Sequence, residues 1–232
     1  MEKDFLHVQE KIDISFKNVD TLRQAMVHRS YLNENPSFEL GHNERLEFLG
    51  DAVLELVVTD YLYTTFPRAA EGEMTSWRAS LVNSKMLASI AQELDIEPLL
   101  YLSRGEAKDV GSKGRQYILT NALEALIGAI YIDQGYTVAE KFIHTYVIPR
   151  LAGIFEYRLD VDPKSHFQEI AQEHARVTPH YDVLEEKGPD HAKWFKVGVF
   201  LGKELVATGE GTSKQEAQVQ AAQNALEEKG WK

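Results

Sequence analysis

Residues 43–58 read NERLEFLGDAVLELVV, and no other stretch narrows the possible folds as far. Glu44, Glu47 and Asp51 stand at i, i+3 and i+7, which puts them on one side of an α-helix. Leu46, Leu49, Val53 and Leu56 supply apolar surface beside them. Such a helix has to lie against other apolar helices, yet carboxylates stacked along it repel one another. A divalent cation resolves the conflict, because shared attraction to the ion replaces the repulsion. The fold must therefore pack helices together and leave an oxygen-rich strip along one of them.

The remaining composition sets bounds. With 232 residues, 44% of them hydrophobic, the chain can bury one large core, or a large and a small one. Cysteine is absent, which excludes disulfides and thiolate metal sites and fits a reducing compartment. The N-terminus, MEKDFLHVQEKID, is charged where a signal peptide needs an apolar core. The longest apolar run, ALEALIGAIYI at 122–132, is too short to span a bilayer and contains Glu124. A cytoplasmic protein without a membrane partner is expected. The net charge of −11 divides into −8 on residues 1–160 and −3 on residues 161–232, where 9 Lys and Arg meet 12 Asp and Glu. Contact with a polyanion must then come from local basic clusters or from cation-screened acids, not from overall potential.

Helical periodicity runs almost unbroken to about residue 157, with helices expected near 18–28, 43–65, 71–82, 84–94, 115–133 and 137–156. Pro67 ends the long second helix, Gly135 ends another, and TVAE offers a capping box between Thr137 and Glu140. After FEYRLDVDPKS the texture changes. Asp162 and Pro163 read as N-cap and first residue of a helix to about Arg176. Three β-rich runs follow, HYDVLEEK, WFKVGVFL and KELVATGEG, and a last helix starts at Ser213 with Glu216 as capping-box partner. The fold class is α+β: an all-α domain over residues 1–158, then a small α-β-β-β-α domain over 162–232.

HNERLEFLGDAVLE, FPRAAEGEMTSWRASLVN and ILTNALEALIGAIYIDQG, in that order, resemble the conserved blocks of bacterial ribonuclease III. The tail from DPKSHFQEIAQ to AAQNAL resembles a double-stranded RNA-binding domain. The resemblance implies a Mg²⁺-dependent endonuclease, with Mn²⁺ as a possible substitute and no small-molecule cofactor. It implies metal ligation by Glu47, Asp51, Asn121 and Glu124, with Asp51 and Glu124 the residues most critical to catalysis. Glu44 and Glu71 match acids of the active-site valley, in supporting or RNA-side roles, and Phe48 matches an aromatic packed across the family's dimer interface. In the tail, Gln168 and Glu169 match minor-groove contacts, His191 a second-groove contact, and Lys214 a phosphate contact at a helix N-terminus.

The implied function is a homodimer that cuts both strands of double-stranded RNA to 5′-phosphate and 3′-hydroxyl ends with short 3′ overhangs. Processing of precursor ribosomal RNA and other structured transcripts is the family expectation. The rival reading is a non-cleaving binder of double-stranded RNA whose nuclease domain survives as a dimerisation scaffold. Asn121 is the feature that favours the rival, since the family pattern has Asp there. An amide oxygen can coordinate Mg²⁺ but carries no charge, and ligand charge is a main determinant of affinity for a hard cation. Asn121→Asp should therefore move the Mg²⁺ activation curve of cleavage to lower concentration and leave the cleavage positions unchanged. Superimposable curves of initial rate against Mg²⁺ would remove position 121 from the metal site.

Overall fold

The computed structural model describes residues 3–157, 162–189 and 193–231. The chain divides into two compact units, Met1–Asp160 and Val161–Lys232. The expected boundary segment lies outside the described residues.

The first unit is helical: α1 Phe5–Ile12, α2 Val19–Ala25, α3 Arg29–Glu34, α4 Glu44–Thr65, α5 Glu71–Leu81, α6 Ser84–Glu93, a 3-10 turn at Glu97–Leu99, α7 Arg104–Lys108, α8 Lys113–Gln134, α9 Tyr136–Tyr146 and α10 Arg150–Tyr157. Short polar side chains start many of these helices. Asn83 accepts from the amide of Met86 at 2.9 Å, and Ser112 from that of Arg115 at 3.0 Å. Helix α8 is apolar nearly all round, with Leu119, Leu123, Leu126, Ile127 and Ile130 buried, so it runs through the middle of the core. Helix α4 packs along it, burying Leu46, Val53, Leu54, Val57, Val58 and Leu62.

The contact between α4 and α8 is made backbone to backbone. A Cβ on Gly50 would run into the carbonyl of Glu124 and stand 2.7 Å from the amide nitrogen of Gly128. A Cβ on Gly128 would run into the carbonyl of Leu46 and stand 3.1 Å from the amide nitrogen of Gly50. Two glycines set against each other in this way let the helix axes approach more closely than any pair of larger residues allows.

Several expected elements change in detail. The helix expected over 18–28 stops at Ala25, because the next residues bond across the fold instead of along a helix. Tyr101 donates its amide to Met26 O at 2.8 Å, His28 donates to Tyr101 O at 3.1 Å, and Asn43 donates to Val27 O at 2.9 Å. The buried amide group of Asn43 also donates to Ala25 O at 3.1 Å, which fixes the start of α4. The helix expected over 137–156 divides into α9 and α10 around Pro149, which has no N–H to continue the ladder. The Thr137–Glu140 box does not form. Helix α9 begins one residue earlier, at Tyr136, out of Gly135 at φ +88°. The short helices α1, α3 and α7 were not expected, being too short for periodicity to register.

The second unit opens with α11, Pro163–Ala175, capped by Asp162, which accepts from the amides of Lys164 at 3.1 Å and Ser165 at 3.0 Å. Strands β1 His180–Lys187, β2 Trp194–Leu201 and β3 Glu204–Gly211 form an antiparallel sheet in sequence order, and α12, Lys214–Lys229, closes the unit. The turn between β2 and β3 pairs Leu201 with Glu204 and puts Gly202 at φ +61°. Phe167, Val199, Ala221, Ala222 and Ala225 form the core. Half of the expected capping box is present: Ser213 accepts from the Glu216 amide at 3.1 Å, but the Glu216 carboxylate accepts from the amide of Thr212, at 2.9 Å. No helix among the described residues is long and apolar enough to cross a membrane.

The glycine contact makes a direct stability prediction. Gly50→Ala should destabilise the protein by about 1–3 kcal/mol or more, as overpacked cores do. Gly72→Ala, on α5 with open space around it, should change stability by less than about 1 kcal/mol. Urea denaturation of the two variants beside the parent protein separates these outcomes.

Candidate active site

Helix α4 carries Glu44 and Glu47 in its first turn, where the helix dipole favours negative charge, and Asp51 one turn further along. Gly50 lies between Glu47 and Asp51 in sequence and meets the backbone of Glu124, so the glycine contact sets the acid stripe of α4 against the acid of α8. The electrostatics register this proximity. The carboxyl of Glu124 is pushed up to about 8, first by burial and then by the charges of Asp51 and Glu47. Glu47 is raised as well, by burial first and then by Glu44 and Asp51. One Glu47 oxygen, Oε2, is buried without a hydrogen-bond partner among the described residues. A buried acceptor left open is costly, and a carboxylate more so.

Asn121 stands one turn before Glu124 on α8, half-buried as Glu124 is, and Asp51 is exposed at the edge of the cluster. Glu44 is paired with Arg29 and has His42 nearby. Arg29 Nη1 lies 3.1 Å from its Oε1, and His42 Nδ1 lies 3.7 Å from its Oε2. Neither partner was anticipated from the sequence, since both lie outside the helix whose pattern drew attention.

As the side chains stand, no three His, Cys, Asp or Glu among the described residues close around one point in a way that would ligate a single ion. The acids perturb one another's protonation without converging, as expected of like charges that spread apart. The donor set nevertheless suits a hard divalent cation. All four candidate ligands present oxygen, one carboxylate oxygen is buried and unsatisfied, and Glu124 is protonated near neutrality unless positive charge compensates it.

Glu71 does not join this cluster within the chain. It is the exposed first residue of α5, accepts from Thr75 Oγ1 at 3.1 Å, and lines a small cavity of about 180 Å³ with Thr59, Tyr63 and Arg78. Thr59 and Tyr63 belong to the far half of α4: Thr59 is twelve residues beyond Glu47, roughly 18 Å along a helix. Phe48 is 81% exposed beside Glu47, so it is not part of the core.

In the second unit Gln168 and Glu169 are exposed on α11, and Lys214 is the first residue of α12. Lys214 Nζ lies 5.6 Å from the centroid of the Phe195 ring and 3.9 Å from Glu186 Oε2. His191 lies outside the described residues. Sequence reasoning missed the two glycines that assemble the first site. Their signal was available, because a glycine in a helix interior costs about 1 kcal/mol relative to alanine and so calls for a packing reason.

Two family models match the chain in order: a ribonuclease-III-like model over residues 18–151 and the double-stranded RNA binding motif over residues 163–229. Ribonuclease 3 of Pelotomaculum thermopropionicum is 42% identical over 94% of the chain and 90% of its own length. Ribonuclease 3 of Carboxydothermus hydrogenoformans is 42% identical over 98% and 97% respectively. Among solved structures, the nuclease domain of ribonuclease III from Campylobacter jejuni, studied for flexibility in a region involved in dimer formation, superposes with a TM-score of 0.56. It is 36% identical and covers 62% of this chain and 96% of its own. Matched by both models in order, and by full-length relatives across nearly all of its residues, the chain belongs to the ribonuclease III family.

Proposed function

We propose that the protein is a Mg²⁺-dependent endoribonuclease that acts as a homodimer on double-stranded RNA. The observation that carries this reading is the acid cluster of α4 and α8, where a buried carboxylate oxygen of Glu47 faces no donor and Glu124 holds its proton to about pH 8. Burying like charges in this way is unfavourable in a purely structural role.

Glu47, Asp51, Asn121 and Glu124 would hold Mg²⁺, with Mn²⁺ able to replace it. Bound there, the ion would supply Lewis acidity toward the scissile phosphate and a more acidic water as nucleophile. Glu47 and Glu124 contribute carboxylates raised by burial, of which Glu124 must lose a proton to bind near neutral pH, and Asn121 contributes a neutral oxygen. Asp51, the exposed member, lies where substrate can approach. Glu44, paired with Arg29, lines the same strip, and Glu71 supplies a further acid on the RNA side.

A duplex has two strands related by local two-fold axes, so two sites related by the same operator can cut both strands. The exposed ring of Phe48, next to the acids, is a fitting dimer contact. The products would be 5′-phosphate and 3′-hydroxyl ends with short 3′ overhangs. Precursor ribosomal RNA and other structured transcripts in the cytoplasm would be the substrates. The second unit, over about residues 162–232, binds the duplex through Gln168, Glu169, His191 and Lys214, and residues 1–158 carry the chemistry. Asn121 is the one feature that favours a non-cleaving binder instead. Long duplex RNA incubated with and without Mg²⁺ and resolved on a gel tests both readings: cleavage supports the nuclease, and retardation without cleavage supports the binder.

Glu124→Gln should reduce cleavage by several orders of magnitude while duplex binding in chelator and the dimer by sedimentation stay unchanged. Near-normal turnover at saturating Mg²⁺ would exclude Glu124 as a ligand.

The same residue sets a pH dependence in the metal-free protein. Its carboxyl is raised from an ordinary 4.5 to about 8 in the folded state, so the folded chain holds a proton that the unfolded chain has released. That contribution is complete below about pH 4.5 and is lost as pH rises through about 8. The melting temperature in chelator should therefore fall across this window more steeply for the parent protein than for Glu124→Gln.

A further inference from the structure

Glu186, at the end of β1, stands between two lysines from different elements of the second unit. Its Oε1 lies 2.8 Å from the Nζ of Lys193, just before β2, and its Oε2 lies 3.9 Å from the Nζ of Lys214, the first residue of α12. Each carboxylate oxygen thus faces a different ammonium group, as two oxygens of a backbone phosphate would. Other lysines of this unit pair with acids of their own: Lys187 with Glu185 at 2.6 Å, Lys196 with Glu210 at 3.3 Å, and Lys229 with Glu204 at 2.8 Å.

We propose that Glu186 is a built-in competing anion, which occupies Lys193 and Lys214 in the free protein and must be displaced by an RNA phosphate when the second unit binds a duplex. The inference rests on the RNA-binding reading of this unit. Three observations support it. Lys214 sits at the N-terminus of a sixteen-residue helix, where outward-facing amides and the dipole favour an anion. Its ammonium nitrogen also lies 5.6 Å from the centroid of the Phe195 ring, a cation–π contact that does not depend on the carboxylate. Side-chain exposures of 36% for Lys193, 40% for Glu186 and 58% for Lys214 leave both pairs open to water, where ion pairs are weak and readily exchanged. Lys193 holds the Glu186 carboxyl below its usual range, so the competitor is ionised at neutral pH.

Glu186 therefore lowers affinity for the duplex without touching it. Because the unit carries more acids than bases, 12 against 9, the occupation of two of its lysines matters more than it would in a basic domain.

The test uses the full chain in chelator, with a labelled RNA duplex of about 16 base pairs, the span of one such domain. Binding is followed by fluorescence anisotropy between about 50 and 200 mM KCl. Glu186→Gln should bind about two- to tenfold more tightly at low salt, the reach of one or two exposed ion pairs, and the gain should shrink as salt rises. The neighbouring Glu185→Gln should change affinity by less than about twofold. In a background carrying Lys193→Gln and Lys214→Gln, the Glu186→Gln change should have no effect. Equal or weaker binding by Glu186→Gln, with a native circular dichroism spectrum, overturns the proposal by showing that Glu186 orders the lysines or does nothing. An equal gain in Glu185→Gln, or a gain that survives without the lysines, reduces the effect to general charge and overturns it too. Duplex binding by the parent protein keeps the RNA reading intact in each of those cases, whereas failure of the parent to bind removes both.

Discussion

The first unit depends on a contact that contains no side chain. Gly50 and Gly128 bring the backbones of α4 and α8 together, and Glu47, Asp51, Asn121 and Glu124 all lie within about two turns of that point. Leu46, Val53, Leu123 and Ile127 then close the apolar core around the contact. Side chains could have held the same helices, but only at a greater separation. At that separation the carboxylates of α4 would stand further from Glu124, and the mutual perturbation of their protonation would weaken. Close approach and acid chemistry are thus one structural decision.

The clamp at the start of α4 serves the same end. Asn43 reaches back to Ala25 and Val27, Tyr101 binds Met26 and His28, and the segment so fixed carries Arg29 to Glu44. The acids at the head of α4 therefore belong to a framework that is tied down at both the helix contact and the helix entrance. Repulsion among them cannot be relieved by fraying the first turn. It is relieved by spreading of the side chains and by protonation of Glu124, and a bound cation would relieve it further.

Much of this was legible in the residues. The i, i+3, i+7 acids, the spacing of Asn121 and Glu124, the Asp162–Pro163 helix start and the three β-rich runs follow from local periodicity and capping, and the structure places each as read. What stayed hidden depends on contacts distant in sequence. Nothing local announces that Met26–His28 will leave a helix to pair with Tyr101, or that Arg29 will pair with Glu44. The break at Pro149 was legible in principle, because proline cannot donate to the helix ladder. Glu71 matches a valley acid by motif, but its position beside Thr59 and Tyr63 depends on how α5 returns along α4, which no local pattern encodes.

The glycine contact also bears on how such a chain can change over generations. Asn121 is half-buried, and Asn and Asp have almost the same shape, so exchange there alters charge with little disturbance of packing. Gly50 and Gly128 allow no such exchange, because any side chain meets backbone. The proposed ligand set is consequently open to drift while the frame around it is locked. A lineage of this architecture could explore weaker or stronger metal dependence one residue at a time and keep the same helices throughout.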